Sequence, residues 1–207
     1  MDLFDYMREN ALRQEAPLAV RMRPQSLEEI AGQAHILGKD KLLYRAVKAD
    51  AVGSMILYGP PGCGKTTIAE VISRETQSDF CRLNATTAGK KEMEEVIQRA
   101  KENFGRGRRT TLFVDEIHRF HKGQQDFLLP YVEDGTIALI GATTENPFFE
   151  VNAALLSRSR IFELKPLAAA DIAALLRRAM ADKERGYGNW SAVLTEEACA
   201  FLADAAA

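Results

Sequence analysis

At 207 residues, with 46% apolar and 27% charged side chains, the chain has the make-up of a globular domain with room for a substantial core. That composition excludes disordered, collagenous and low-complexity scaffolds. Lys and Arg total 27 against 29 Asp and Glu, so any nucleic-acid contact has to come from a local basic patch. The three cysteines, Cys63, Cys81 and Cys199, are far apart and form no CxxC pair, which points to reduced thiols in a cytoplasmic compartment. The start, Met1-Asp2-Leu3-Phe4-Asp5, carries acid where a signal peptide carries base, and no apolar run reaches the ~18 residues of a membrane helix.

Residues 1–18 are polar and read as a loosely held leader. Ser26-Leu27-Glu28-Glu29 has the form of a capping box and predicts a short helix from Leu27. Met55-Ile56-Leu57-Tyr58 is an apolar run stopped by Gly-Pro-Pro-Gly, the pattern of a buried strand entering a turn. Ile68, Val71 and Ile72 follow at helical spacing, and Phe80–Leu83 reads as a second strand. Met93, Val96, Ile97, Ala100 and Phe104 recur on one helix face. Thr111–Val114 and Ile137–Ile140 are further buried strands, separated by a helical stretch around Gln124–Val132 that Pro130 should bend or end. Arg160–Leu164 is the fifth strand. Strands alternating with helices predict an α/β fold, a five-stranded parallel sheet flanked by helices over residues 19–166. Beyond Pro166 the composition turns alanine-rich, with one helix from about Ile172 towards Gly186 and another opening at Thr195. The uncapped Ala205-Ala206-Ala207 end suggests a truncated helical region over 167–207.

Four clusters carry chemistry. Gly59-Pro60-Pro61-Gly62-Cys63-Gly64-Lys65-Thr66 matches the phosphate loop G-x-x-x-x-G-K-[ST]. It follows a buried strand and opens a helix. The glycines let backbone N–H groups turn toward the β-phosphate of ATP, Lys65 reaches the β- and γ-phosphates, and Thr66 offers a hydroxyl to Mg²⁺. Asp115, at the end of a buried strand, is a carboxylate expected to hold Mg²⁺, with the adjacent Glu116 free to deprotonate the attacking water. Gly141-Ala142-Thr143-Thr144-Glu145-Asn146-Pro147 ends the fourth strand, where a hydroxyl, Thr144 above all, can sense the γ-phosphate. In Leu155-Leu156-Ser157-Arg158-Ser159-Arg160, Arg158 or Arg160 is placed to act as an arginine finger in a neighbouring subunit. The basic run Arg99, Lys101, Arg106, Arg108 and Arg109 reads as a solvated loop, and His118 with His121 as polar surface or DNA-facing groups, without the third ligand a metal needs.

In this order, phosphate loop, Asp-Glu strand, Thr-Thr strand end, Ser-Arg-Ser and helical lid, the sequence resembles P-loop NTPases of the AAA+ class of clamp loaders and RuvB. It resembles most the RarA (MgsA) family of replication-associated recombination proteins, related to the Werner-helicase-interacting proteins. The matching stretches include Arg21–Pro24, Ser54–Thr66, Phe113–Phe120, Gly141–Pro147, Leu155–Arg160 and Asp182–Gly188. RuvB proteins insert a hairpin where here only Gly135 separates Asp134 from Thr136, and bacterial clamp-loader motors carry a four-cysteine module where here only Cys81 occurs. The resemblance implies an ATPase stimulated by DNA at stalled replication forks. It implies an adenine-side segment including Pro24 and Ile30, and DNA-facing Lys90, Lys91 and Lys122. It also implies contact with single-stranded regions, forks or ends of DNA, a homotetramer of the whole protein, a possible single-strand-binding partner, and a nucleoid-associated location. The second sensor arginine and the oligomerising helical domain of such proteins would lie beyond residue 207. Rival readings are a clamp-loader-like or Holliday-junction-motor-like ATPase and a non-hydrolysing nucleotide-dependent scaffold; intact Lys65, Asp115 and Glu116 argue against the scaffold.

Overall fold

The structure, a computed structural model, describes residues 16–207. Residues 1–15 of the expected leader lie outside the described residues, and a short helix α1 (Leu18–Arg21) follows. Two compact units emerge. One is formed by residues 25–166; the other joins the described stretch up to Pro24 with 167–207. Residues 19–24, expected with the sheet, therefore belong with the C-terminal helices.

In the first unit, the short helices α2 (Ala34–Leu37) and α3 (Leu42–Lys48) precede the sheet. Then come β1 (Met55–Tyr58), α4 (Lys65–Glu75), β2 (Asp79–Asn84), α5 (Lys90–Gly105), β3 (Thr110–Asp115), α6 (Lys122–Glu133), β4 (Ala138–Thr143), α7 (Pro147–Glu150), α8 (Ala153–Ser157) and β5 (Arg160–Glu163). The sheet order is β2-β3-β4-β1-β5 and every pairing is parallel. Alternate residues of each strand feed two cores. Ile56, Leu112, Val114 and Leu139 pack with α5 residues Met93, Ile97 and Ala100 on one face. Met55, Leu57, Phe113, Ile140 and Ala142 pack with α4 residues Ile68, Val71 and Ile72 on the other. Burial on both faces is why these strands read as unbroken apolar runs.

Local departures have physical causes. The Ser26 side chain caps nothing, and Leu27–Glu29 is a single 3-10 turn in which the Gln25 N–H donates to Glu29 Oε2 at 3.1 Å. Phe104, in the last turn of α5, leaves the buried stripe and is exposed. Helix α6 passes through Pro130 to Glu133; in the last turn a proline forfeits one helical bond only.

Arg99, expected as a solvated base, instead forms a fork on Asp79, with Nε and Nη2 donating at 2.6 and 2.5 Å. Asn103 Nδ2 adds a bond to Asp79 at 2.8 Å and one to Thr110 Oγ1 at 2.9 Å, tying β2, α5 and β3 together. Burial pushes the Asp79 carboxyl up, but the hydrogen bonds from Arg99 and Asn103 and the nearby positive charges outweigh it and hold the group below the usual carboxylate range.

In the second unit, α9 (Ala169–Ala181) and α10 (Glu196–Ala206) pack through Ala179, Cys199 and Ala203. Thr195 caps α10, accepting the Ala198 N–H at 3.2 Å. Helix α9 stops before Gly186, and the loop folds back so that the Tyr187 N–H donates to Ala179 O at 2.8 Å. The Arg21 guanidinium lies over the Tyr187 ring, 5.7 Å from its centroid, and Arg178 donates to Met22 O at 3.3 Å. No helix among the described residues is long and apolar enough to cross a membrane.

Asp79→Asn should lower the unfolding free energy by about 1–3 kcal/mol at pH 7, the scale for a broken charged network. Because the folded pKa is lowered, this contribution is present above the unfolded value of about 3.9 and is lost as pH falls through the folded one. Urea titrations at pH 7 and below pH 4 should show the gap between variant and parent closing. Equal stability at pH 7 would refute the role of the network.

Candidate functional site: the carboxyl edge of the sheet

The loop Gly59–Thr66 joins the end of β1 to the start of α4. Gly59 is fixed between its neighbours: its N–H donates to Thr143 O at 3.2 Å, and at φ 154° a Cβ there would collide with Leu164 O. Gly64, at φ 100°, caps α4 from the left-handed region and so lets the helix start point its free N–H groups into the loop. Lys65 is buried, with Nζ donating to Gly59 O at 2.6 Å and Pro60 O at 2.8 Å. Carbonyl oxygens thus satisfy the ammonium that phosphate oxygens can take over. The Thr66 hydroxyl makes no hydrogen bond to any described residue.

Gln33 closes the segment expected on the adenine side, and its contacts have no signal in the sequence. Fully buried, it donates through Nε2 to Cys63 O (3.3 Å) and Lys165 O (2.7 Å) and accepts the Lys165 N–H at 3.2 Å. It pins the segment that carries Ile30 to the phosphate loop. Ile30 packs on the α4-side core. Pro24 belongs to the other unit.

At the end of β3, Asp115 Oδ2 pairs with Arg82 Nη2 at 2.9 Å, and the Arg82 guanidinium lies over Phe113, 5.8 Å from the ring centroid. Arg82 had no local signal: it is one polar residue on a strand whose partner register, Arg82 opposite Phe113, only the sheet defines. Thr66 and Asp115 offer hard oxygen donors of the kind Mg²⁺ prefers beside its waters and phosphates, so the donor set fits that ion. Glu116 takes a left-handed backbone, φ 53° and ψ 45°, unusual for a residue with a side chain. Its Oε2 is buried and takes no aligned hydrogen bond from any described group.

At the end of β4, Thr143 is fully buried, paired opposite Tyr58, and its Oγ1 accepts the Glu145 N–H at 3.0 Å. His118 Nδ1 lies 2.8 Å from the same oxygen. His118 is therefore neither surface nor DNA-facing. Thr144 is half-buried, and its hydroxyl makes no hydrogen bond to a described residue. His121 caps α6, accepting the Gln124 N–H at 3.3 Å.

Arg158 follows α8. Its Nη2 pairs with Glu133 on α6 at 2.6 Å, and Nη1 donates to Ala154 O and Ser157 Oγ, both at 3.0 Å. Arg160 opens β5, exposed and with no side-chain partner among the described residues. Lys90 and Lys91, at the start of α5, are highly exposed and lie 3.5 and 3.9 Å from Glu94 and Glu95. Gln124 Nε2 donates to Ala88 O at 3.3 Å, which brings the loop before Lys90 beside the turn that bears exposed Lys122.

Parallel strands, phosphate loop and Asp-Glu strand end together define a P-loop nucleotide site, and residues 55–167 match the ATPase family associated with various cellular activities (AAA). The chain belongs to that family. It is similar to Replication-associated recombination protein A of Escherichia coli K12, 57% identical over 181 residues that make up 87% of this chain and 40% of that protein. It is also similar to ATPase WRNIP1 of Dictyostelium discoideum, 44% identical over 80% of this chain and 19% of that one. A solved RuvB mutant of Thermotoga maritima superposes with a TM-score of 0.70 at 27% identity, over 88% of this chain and 60% of that one. The chain thus spans about 40% of the length of the bacterial recombination protein it matches.

Gly59→Ala should weaken ATP binding by about 5- to 150-fold, since the strain of about 1–3 kcal/mol at such a position falls on the phosphate loop. Gly53→Ala, where a Cβ meets open space, should leave binding unchanged. Equal affinities by isothermal titration would contradict the tight Gly59–Leu164 approach.

Proposed function

We propose that this chain is the nucleotide-hydrolysing part of a Mg²⁺-dependent ATPase motor that acts on DNA at stalled replication forks. One observation carries the hydrolytic half: Glu116, which follows β3 at the same sheet edge that the phosphate loop leaves from β1, has a strained backbone and a buried carboxylate oxygen left without an aligned donor. A group held at such cost, and not needed for packing, is suited to orient and deprotonate a water aimed at the γ-phosphate. Lys65 leaves the Gly59 and Pro60 carbonyls for the β- and γ-phosphates. Gly59, Pro60, Pro61, Gly62, Cys63 and Gly64 wrap the phosphate chain, and Ile30 belongs to the adenine side. Thr66 and Asp115 would hold Mg²⁺, which when bound neutralises charge on the β- and γ-phosphates. Thr144, with its hydroxyl uncommitted, reads the γ-phosphate.

The DNA half rests on relatives named for replication-associated recombination and on exposed Lys90, Lys91 and Lys122 at the starts of two helices, α5 and α6, whose N-terminal ends Gln124 links through Ala88 O. In the whole protein, a homotetramer, a single-strand-binding partner and nucleoid association accompany this reading. The finger supplied to a neighbouring subunit is Arg158 or Arg160; Arg160 is uncommitted, whereas Arg158 must first leave Glu133.

In the full chain, Glu116→Gln should bind ATP normally and hydrolyse it at least ~10²-fold slower, while Lys65→Ala loses binding. Equal loss of binding in both would sink this division of labour. The finger variant, Arg158→Ala or Arg160→Ala, should keep binding and lose ~10³-fold in turnover, and mixing it with Glu116→Gln subunits should restore activity at some interfaces. No restoration despite proven subunit exchange would mean that neither arginine acts across subunits.

A further inference from the structure

Between the ends of β3 and β4 lies a histidine that neither the phosphate chemistry nor the apolar core requires. His118 belongs to the single 3-10 turn Ile117–Arg119 that follows Glu116, and its side chain is 8% exposed. Its Nδ1 faces two oxygens, Thr143 Oγ1 at 2.8 Å and Glu116 Oε2 at 3.3 Å. Thr143 cannot drift, because it is fully buried, paired with β1 and holds the Glu145 N–H. The imidazole therefore has one fixed neighbour and one that lacks an aligned donor.

We infer that His118 is a positioning residue that holds the Glu116 carboxylate in its reactive direction, with Thr143 as the anchor. The inference rests on the reading of Glu116 as the base that activates water. An ionised carboxylate only accepts hydrogen bonds, so a bare Nδ1 would set its lone pair against Oε2. The tautomer that carries hydrogen on Nδ1 is the one that fits. Its N–H lies closer to Thr143 and needs a small ring rotation to meet Glu116. The left-handed backbone aims Glu116 into this corner, and His118 limits how far the carboxylate swings there. A general base misplaced by about 1 Å can lose on the order of 10²-fold in rate, so a modest constraint has a large kinetic effect.

The test uses the full chain with three substitutions at one position. His118→Asn puts an amide donor where Nδ1 sits, His118→Gln puts it where Nε2 sits, and His118→Ala removes it. Steady-state ATPase, nucleotide affinity by fluorescence titration and melting temperature are measured together, with Glu116→Gln alongside. The expected result is a kcat lowered about 10–100-fold in His118→Ala and His118→Gln, with KM and nucleotide affinity within about threefold, and a kcat close to the parent in His118→Asn. Retained kcat in His118→Ala or His118→Gln, or a loss in folded His118→Asn as deep as in His118→Gln, overturns the inference. If His118→Ala does not fold, the Asn and Gln pair decides. Turnover that survives Glu116→Gln would instead defeat the underlying reading of the base, which keeps the two failures distinct.

Discussion

All five strands run in the same direction, and that constraint places every chemical group of the site. A parallel sheet brings its strand carboxyl ends to one edge, where the ladder ends and loops are free to carry polar side chains. With β1 between β4 and β5, and β3 next to β4, the phosphate loop, Asp115-Glu116 and Thr143 come together from distant parts of the chain. Three backbone bonds fasten that edge: Gly59 N–H to Thr143 O, Ala85 N–H to Asp115 O, and Leu164 N–H to Tyr58 O. Each extends the sheet by one step past its last side-chain layer and fixes where the next loop departs.

The same edge holds most of the costly local choices. Lys65 is buried on carbonyl oxygens, Glu116 occupies a left-handed backbone, and one of its oxygens lacks an aligned donor. Strain of this kind costs about 1–3 kcal/mol per residue and survives only where the surroundings enforce it. Here they do: Phe113 and Val114, the strand residues just before Asp115, are fully buried on opposite faces of the sheet. The rigid two-sided core of β3 offsets the strained backbone at Glu116.

What was legible in the sequence follows from what is local. The phosphate-loop motif is contiguous, and strands buried on both faces announce themselves as apolar runs, so sheet and family could be read directly. Contacts made by the fold left no such trace. Gln33 meets Lys165, Arg82 meets Asp115, Arg99 meets Asp79 and His118 meets Thr143, each across at least 20 residues. Arg99 looked like one base in a solvated run because its acid lies on another element. Of the two threonines after Ala142, the sequence favoured Thr144 but offered no partner for either. Pleat alternation separates them: Thr143 turns into the His118 corner, while the Thr144 hydroxyl stays uncommitted. At Ser26 the local motif placed the helix start correctly at Leu27, but the helix is a single 3-10 turn and the side-chain cap does not form.

The geometry of a captured nucleotide tests the central claim most directly, through a crystal structure of the full chain with Mg²⁺ and a non-hydrolysable ATP analogue. The expected result has Lys65 Nζ moved from the Gly59 and Pro60 carbonyls to phosphate oxygens. A water in line with the γ-phosphorus should lie within hydrogen-bond reach, about 2.6–3.2 Å, of a Glu116 carboxylate oxygen. A γ-phosphate whose in-line water is held by other residues, with Glu116 turned away, would contradict the account.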